Sequence, residues 1–388
     1  MMHAIHHLIG FLPKKMKPEI RELFASTLIL NFGLALIFIF EPIYLFRLGY
    51  SLQQIMLFWV MVYFFYVLTI PIGAKISEKF GYEHTMFYGT FFWILLYLGL
   101  YLIEAYSIFF YITPLIYAIQ KSLYWPAYHA NFSKYSADSE EGREIGSLNI
   151  LSSFTFIIGP AIGGFILHQW GFHVLFIAVA IIFLLSNIPM LLTKERFVSE
   201  PVDYKYSYKK LLKKGNRKKF FAYLGFGEEI LVVVVWPIFI SLFIKDMLSI
   251  GELVAVTTLI TMLATLVIGQ LSDKMNRRKI LRAGSLLYSI VWFFRLIIQT
   301  QWGVFIIDGL SRVSKNLIDV PLIAIIYDDA KDHKVMDRVL LFELSLAIGK
   351  LITCALVFVL LSIFGGGLLS FYIVFITAGL VTWLYALL

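Results

Sequence analysis

The sequence predicts an all-α membrane protein with twelve transmembrane helices arranged as two six-helix, pseudo-symmetric halves. Three observations lead to this prediction: the composition, the length of the apolar runs and an internal repeat. Of the 388 residues, 60% are hydrophobic and only 15% are charged, whereas a soluble domain carries about 25% charged residues. Apolar runs of the roughly 20 residues that a bilayer-spanning helix needs recur along the chain.

The apolar runs are continuous, which favours helices over barrel strands, because barrel strands alternate apolar and polar residues over about ten positions. Prolines within or near the runs are tolerated in membranes when neighbouring groups satisfy the freed backbone atoms. We place the predicted spans at residues 24–45, 53–74, 85–104, 108–130, 147–168, 174–193, 221–244, 252–271, 279–299, 303–326, 341–363 and 367–387.

The net charge of +8 does not indicate a nucleic-acid partner, because the basic residues lie in short loops between the spans. Nearly all of them fall in one set of loops, and the opposite set holds only Arg47 and Lys245. The positive-inside rule then predicts a multi-pass protein of the cell membrane with both termini in the cytoplasm. Termini on one side require an even number of spans, which agrees with twelve.

The longest polar stretch divides the chain. Residues 194–219 carry ten basic residues and are expected to form a cytoplasmic linker near anionic lipid headgroups. The predicted organisation is therefore an N-terminal half (1–193), this linker and a C-terminal half (220–388). The single cysteine, Cys354, cannot form an internal disulfide.

An internal repeat relates the two halves at a constant offset of 195 residues. Matches between apolar helices are common by chance. Matches of prolines, of an acidic–basic pair and of a loop arginine in one register are much rarer by chance. The pairs include Pro42 with Pro237, Glu78 with Asp273, Lys79 with Lys274, Pro126 with Pro321 and Arg143 with Arg338. Parallel six-helix repeats are a transporter architecture in which the solute site lies between the halves, near the middle of the membrane.

The loops at 74–82 and 269–279 resemble the signature loop of the major facilitator superfamily, glycine-x-x-x-aspartate-basic-x-glycine-basic-basic. The second copy departs from the pattern at Asn276 and the first at Ala74 and its basic pair. In that family the acidic residue packs against the start of a helix from the other half and locks one conformation. The resemblance implies that Glu78 faces the start of the eleventh span and Asp273 the start of the fifth. The implied latch residues are Glu78, Lys79, Asp273, Lys274 and Arg277. Ordinary cytoplasmic turns are the alternative.

The fifth span is similar to a second motif of that family, glycine-x-x-x-glycine-proline-x-x-glycine-glycine, with Thr155 in place of the first glycine. The family associates this motif with solute–proton exporters. Close helix packing by small residues explains it equally well without export. The residues concerned are Gly159, Pro160, Gly163 and Gly164.

Charged residues within the spans point to a polar cavity. Asp308, Arg312, Lys315 and Asp319 lie at spacings of 4, 3 and 4, which places them on one helix face. A face this charged is too costly to expose to lipid, so it lines a cavity or pairs with itself and other helices. At the repeat offset, Lys121 matches Asn316. The predicted substrate-binding residues are Lys121, Arg312, Lys315, Asn316 and Asp319.

Carboxylates in the spans are candidate proton carriers, because a low dielectric favours the protonated acid. Glu228 and Glu229 follow two helix-weakening glycines in the seventh span, and adjacent helical residues point about 100° apart, so at most one aims fully into a cavity. The alternative for this pair is a salt bridge to Lys121 or Lys350. Glu41 is a further candidate that could instead snorkel to the outer interface, as we expect of Arg295.

The sequence shows no nucleophile–base pairing, phosphate-binding loop or metal-ligand spacing, so we expect neither an enzyme nor a cofactor or metal. The expected partners are a small-molecule substrate, protons and the lipid bilayer, and the expected state is a monomer. The predicted function is secondary transport by alternating access, coupled to protons, with export of a small organic compound slightly favoured. The alternatives are uptake or exchange of a polar or anionic solute, a lipid-handling facilitator, and a transporter-like sensor that moves nothing.

Overall fold

The computed structural model describes residues 18–135, 141–192, 201–274, 276–331 and 335–388. The secondary-structure elements of these residues are helices. The N-terminal half contains α1 (Pro18–Ile37), α2 (Phe40–Arg47), α3 (Leu52–Phe80), α4 (Tyr82–Ile103), α5 (Phe109–Tyr135) and α6 (Glu141–Ser186). A short helix, α7 (Tyr204–Lys209), follows in the linker. The C-terminal half contains α8 (Arg217–Tyr223), α9 (Gly227–Phe243), α10 (Met247–Lys274), α11 (Arg277–Phe294), α12 (Gln301–Lys331), α13 (Val335–Phe364) and α14 (Gly367–Thr382).

These helices agree with the predicted spans. Nine helical segments of the described chain are long and apolar enough to cross a bilayer. One of them, Leu151–Ser186, holds two spans, because Gly171 has φ 80° and breaks α6 into two helices. Two further helices, α5 and α12, have 27 and 31 residues but carry the polar residues of the candidate site. The predicted all-α membrane fold is therefore confirmed.

The outer faces of the helices expose large apolar side chains. Phe91 is 58% exposed, Leu263 55% and Ile306 55%, and each lies within a predicted span. A surface of this kind suits hydrocarbon rather than water. The interior, in contrast, holds most of the charged side chains of the spans.

Glycines let α6 approach two different neighbours closely. A Cβ on Gly163 would overlap the carbonyl oxygen of Leu36 in α1, and one on Gly159 would overlap the Cβ of Ala35. On another face, a Cβ on Gly164 would lie 2.5 Å from the carbonyl oxygen of Met247 in α10. Close contact by small residues is the usual basis of helix packing in membranes. The motif therefore joins α6 to α1 within its half and to α10 across the halves.

We call the end of the molecule that carries α7 the linker end and the opposite end the far end. Polar contacts join the halves at the far end: Gln53 Nε2 donates to Ser362 Oγ at 2.8 Å, and His168 Nδ1 lies 2.9 Å from Asp246 Oδ1. Asp246 also accepts from the backbone N–H and hydroxyl of Ser249 at the start of α10. These hydrogen bonds hold the pKa of the Asp246 carboxyl at about 2. That the linker end faces the cytoplasm stays a prediction.

Side chains of the linker helix α7 donate hydrogen bonds to backbone carbonyls of α3 near Pro71. Pro71 lies inside α3 and has no N–H to donate to the carbonyl oxygen of Val67, four residues earlier. The hydroxyl of Tyr208 donates to that oxygen at 2.7 Å, and the hydroxyl of Tyr204 donates to the next carbonyl at 3.0 Å. On its other side, Lys210 donates to Asp337 Oδ1 of α13 at 3.0 Å. The linker therefore connects α3 with α13 at the linker end.

Replacing Gly163 by valine should destabilise the protein by about 1–3 kcal/mol, since the new side chain must push α6 away from the backbone of α1. Thermal unfolding in detergent, followed by tryptophan fluorescence, measures the change. The matched control is Gly309→Ala, because a Cβ there meets no atom within 4 Å. It should leave stability unchanged or raise it by about 0.5–1 kcal/mol. A Gly163→Val protein as stable as the wild type would show that the two helices are not in this contact.

Tyr208→Phe should cost about 1 kcal/mol, because the carbonyl of Val67 loses the donor that replaces the missing N–H of Pro71. Tyr206→Phe serves as the control, since the residue is 44% exposed and its hydroxyl accepts a solvent-exposed hydrogen bond from Lys213. The same Tyr208→Phe change made in a Pro71→Ala background should cost less, because alanine at that position supplies the N–H itself. A double-mutant cycle of unfolding free energies that shows no coupling between the two positions would contradict this account.

Candidate functional site

Two cavities lie between the halves, one on each side of a layer of charged residues. The linker-side cavity has a volume of about 380 Å³ and is bounded by α3, α5, α9, α12 and α13. The far-side cavity has a volume of about 330 Å³. Lys121, Glu229 and Lys350 line both of them. These three side chains therefore separate the two spaces near the middle of the predicted spans.

An acid–lysine network occupies the C-terminal half of this layer. It consists of five residues from α9, α12 and α13, namely Glu228, Glu229, Lys315, Asp319 and Lys350. The ammonium of Lys315 lies 2.5 Å from Glu228, 3.5 Å from Glu229 and 3.3 Å from Asp319. The ammonium of Lys350 lies 2.9 Å from Glu229 Oε2. Three carboxylates thus share two lysines.

The two adjacent glutamates have different surroundings. The side chain of Glu228 is fully buried and accepts hydrogen bonds from the hydroxyls of Tyr288 at 3.0 Å and Tyr385 at 3.2 Å. The side chain of Glu229 is 28% exposed and lines both cavities. The roughly 100° between neighbouring helical residues accounts for the difference. Glu228 anchors Lys315, while Glu229 is open to a proton or a ligand.

Lys121 stands on the N-terminal side of the layer without a carboxylate at ion-pair distance among the described residues. Its ammonium instead lies 5.5–5.8 Å from the ring centres of Tyr63, Tyr66 and Tyr117. Tyrosine faces attract a cation through the ring quadrupole, so this cage holds the ammonium in place. The predicted salt bridge between Glu229 and a lysine is made by Lys315 and Lys350, and not by Lys121.

The charged stripe of α12 divides into two parts. Asp319 lines the linker-side cavity and Lys315 the far-side cavity. Asp308 instead binds Arg312 at 2.7 Å and accepts from the indole N–H of Trp236 at 2.7 Å. Arg312 lines neither cavity, so the predicted alternative of pairing along the helix describes this part of the stripe.

Asn316 is turned toward α10. Its amide donates to Thr265 Oγ1 at 2.5 Å, and it lines neither cavity. Nothing in these contacts places it beside the other predicted substrate-binding residues. The repeat matches Lys121 with Asn316, but Lys121 lines both cavities whereas Asn316 binds α10.

The structure shows that the predicted location of Arg295 is wrong. The sequence predicts that it reaches the outer interface, yet it is fully buried. Its guanidinium carbon lies 3.5 Å from the ring centre of Trp292 and 4.3 Å from that of Trp236, and its Nη2 donates to Ser311 Oγ at 2.5 Å. The weakly hydrated, planar guanidinium stacks on aromatic faces, which allows it to stay inside the C-terminal half.

Glu41 lies deep in the N-terminal half, away from the acid–lysine network. Its side chain accepts a hydrogen bond from the hydroxyl of Tyr97 at 2.6 Å and lines a small cavity beside Trp59 and Tyr117. The residue is 9% exposed, so it does not snorkel to an interface. It stays a candidate proton site that the structure keeps apart from Glu229.

The predicted latch falls only partly within the described structure. Glu78 Oε2 accepts from the backbone N–H of Val202 in the linker at 3.0 Å, and Lys79 lies over the ring of Phe80 at 5.0 Å. Arg277 opens α11 and takes part in further interactions. The side chains of Asp273 and Lys274 lie outside the described residues. Contact of Glu78 with the start of α13 stays a prediction.

Sequence reasoning missed one bridge between the halves. Glu343 of α13 accepts from the hydroxyl of Tyr66 at 2.6 Å, and its other oxygen lies 3.3 Å from His129 Nε2. All three residues line the linker-side cavity. Glu343 is visible in the sequence as an acid within a span, but nothing in the local sequence indicates that its partners come from α3 and α5.

The site consists of carboxylate, lysine and tyrosine side chains. Within the part of the chain that the structure describes, no group of three or more histidine, cysteine or acidic side chains is placed to hold a metal ion. What the arrangement can do is bind a proton or a charged group at Glu229, Asp319 or Lys121 and thereby change which lysine pairs with which acid.

Comparison with known proteins gives three findings. The crystal structure of a D-xylose–proton symporter matches with a TM-score of 0.70 at 13% sequence identity, and the match covers 95% of this chain and 96% of that chain. At this identity the likeness shows the fold alone. No curated protein matches the sequence. The family profile described as Major Facilitator Superfamily matches residues 23–245, more than half of the chain. This protein therefore belongs to the major facilitator superfamily.

Proposed function

We propose that this protein is a secondary transporter that couples movement of a small organic solute to protons. The observation that supports the proposal is the composition of the acid–lysine network, in which three carboxylates share two lysines beside two cavities. An extra carboxylate in a low-dielectric site is costly unless a proton or another cation neutralises it. The network is therefore suited to take up one proton.

A proton on Glu229 would act by weakening the ion pair between Glu229 and Lys350. Glu229 accepts from Lys350 and lines both cavities, whereas Glu228 lines the far-side cavity alone and is bound by two tyrosines and Lys315. A proton on Glu229 removes the charge that holds Lys350 in the C-terminal half. The ammonium of Lys350 already lies 5.8 Å from the ring centre of Tyr63 in the other half. Protonation thus frees a cation at the boundary between the halves.

Alternating access follows from contacts that form at one end and break at the other. The Gln53–Ser362 bond and the His168–Asp246 pair close the far end, while the larger cavity extends to Ser133 and Arg338 near the linker end. Opening the far end requires these exposed polar contacts to break, and each contributes little to stability. Solute and proton binding at the central layer would supply the bias between the two states.

The direction of transport is set by the gradients, since a coupled carrier is reversible. The motif that predicts export is accounted for here by packing of α6 on α1 and α10. Export therefore stays a prediction. Transport of any solute in proteoliposomes would exclude the alternative of a sensor that moves nothing.

Glu229→Gln should uncouple the transporter. The neutral amide cannot bind the proton, so solute exchange without a gradient should persist while accumulation driven by a pH difference is lost. The measurement uses proteoliposomes containing a pH-sensitive dye and a panel of small organic anions, cations and neutral solutes. The control is Glu252→Gln, an exposed acid on α10. If Glu229→Gln and Asp319→Asn both keep pH-driven accumulation, the network does not carry the proton.

Lys315→Met should destabilise the protein by about 3–5 kcal/mol, because it leaves the fully buried Glu228 without its cation. Adding Glu228→Gln to the same protein should restore most of the loss, since the remaining amide is neutral. Lys279→Met, at an exposed position of α11, is the control for loss of a positive charge. Unfolding in detergent gives the three stabilities. Equal stability of the single and double variants would show that Lys315 and Glu228 are not paired.

A further inference from the structure

Lys121 differs from the other lysines of the central layer in its partners. Lys315 and Lys350 each bind at least one carboxylate, whereas no carboxylate of the described residues lies within 4.0 Å of Lys121 Nζ. The described hydrogen bonds do not involve its ammonium either, and a lysine ammonium has three donors. It therefore presents a positive charge, with donors to spare, at the border of both cavities.

The space next to Lys121 is mainly apolar on its linker side. The wall of the linker-side cavity includes Trp125, Phe226, Leu322, Phe342 and Leu346. The carboxylates on this wall have other partners: Glu229 binds lysines, Asp319 binds Lys315, and Glu343 binds Tyr66 and lies beside His129. A volume of about 380 Å³ lies within the range of small-molecule sites. A ligand that fits has one anionic end and an apolar body.

We propose that the transported solute is an organic monoanion, a carboxylate with an aromatic or alkyl body, whose charged group binds Lys121. The carboxylate accepts from the ammonium within the tyrosine cage, and the body extends along the apolar wall toward the linker end. The proposal rests on the proposed proton-coupled transport and names its substrate class. A cation is disfavoured at the same place, because it would lie against the ammonium of Lys121.

The charge of the solute predicts the stoichiometry. The acid–lysine network has one carboxylate more than it has lysines, and Glu343 adds a further carboxylate to the same cavity. Lys121 is the cation that offsets this excess, so a monoanion that pairs with Lys121 adds one negative charge, and burying that charge uncompensated is costly. A proton on Glu229 or Asp319 compensates it. One proton therefore accompanies each anion, and the loaded carrier crosses between its two states without moving net charge.

The first test is binding to purified full-length protein in detergent, which requires no transport. The probes are benzoate, 3-phenylpropanoate and hexanoate. Three control compounds accompany them: acetate lacks the apolar body, benzamide lacks the charge, and benzylamine carries a positive charge instead of a negative one. Thermal stabilisation ranks them, and calorimetric titration gives the affinity of the best one. At least one of the larger carboxylates should stabilise the protein, and acetate, benzamide and benzylamine should do so much less.

The variants locate the charge. Lys121→Met should weaken binding of the best carboxylate by about 30-fold or more, as expected for loss of one partner of a buried charge pair, while Lys121→Arg keeps the charge and should retain most of the affinity. Lys245→Met, outside both cavities, is the control. Equal binding to Lys121→Met, preference for benzylamine, or no stabilisation by any of the carboxylates would each overturn the proposal. If Lys121→Met does not fold, the charge preference of the wild type still decides.

The second test separates this inference from the proposed function. In proteoliposomes, the uptake of the bound carboxylate that exceeds its uptake by protein-free liposomes, into which the neutral acid diffuses, should rise when the outside is acidified. This excess uptake should not respond to a membrane potential set by potassium and valinomycin. Charge-selective binding with uptake that ignores pH would leave the substrate class standing and refute proton coupling. Uptake that responds to pH and also to voltage would refute the one-to-one stoichiometry.

Discussion

The structure depends on one constraint, the cost of an ionised group in a region without water. Glu228 shows how the constraint is met. Its carboxylate is fully buried, and it is bound by Lys315 of α12, by the hydroxyl of Tyr288 in α11 and by the hydroxyl of Tyr385 near the C-terminus. A buried carboxylate needs a cation and further donors for its remaining lone pairs. Supplying them from three other parts of the chain holds the C-terminal half together around one charge.

Because Glu228 is held in place, the other ion pairs of the network can rearrange when a charge changes. Lys315 also reaches Glu229 and Asp319, so its charge is divided among three acids. Lys350 completes the set from α13, the helix that packs against α3 of the other half. A change of charge at Glu229 therefore alters the ion pair with Lys350 of α13, a helix at the boundary of the halves. The same change at Glu228 would remove the ion pair in the core of the C-terminal half. The adjacent glutamates have different roles because their surroundings differ.

The sequence predicts the helices and the presence of a polar interior, but it does not predict the pairing of the charges. Long apolar runs are sufficient for the helices, and charges within spans must avoid lipid. The partners, however, come from distant parts of the chain: Glu228 and Lys315 are 87 residues apart, and Tyr385 is 157 from Glu228. Arg295 illustrates the limit, because the Trp236 ring that covers it lies on α9. The repeat is limited in the same way, since Lys121 faces the cavities while its counterpart Asn316 binds α10.

Two kinds of contact between the halves differ in a way that bears on how the halves can move. Along α6 and α10, a Cβ on Gly251 would overlap the carbonyl oxygen of Pro160, and one on Gly164 would lie 2.5 Å from that of Met247. Two backbones in contact have no interdigitated side chains to pull apart, so one helix can tilt on the other while the distance between them stays constant. The far end is also joined by single polar contacts such as that of Gln53 with Ser362, which water can replace at little cost. Gly164 and Met247 lie within four residues of His168 and Asp246, so the backbone contact and the exchangeable polar contact are neighbours at the far end. In the proposed transport cycle, breaking the polar pair would therefore open the far end while the backbones of α6 and α10 stay in contact.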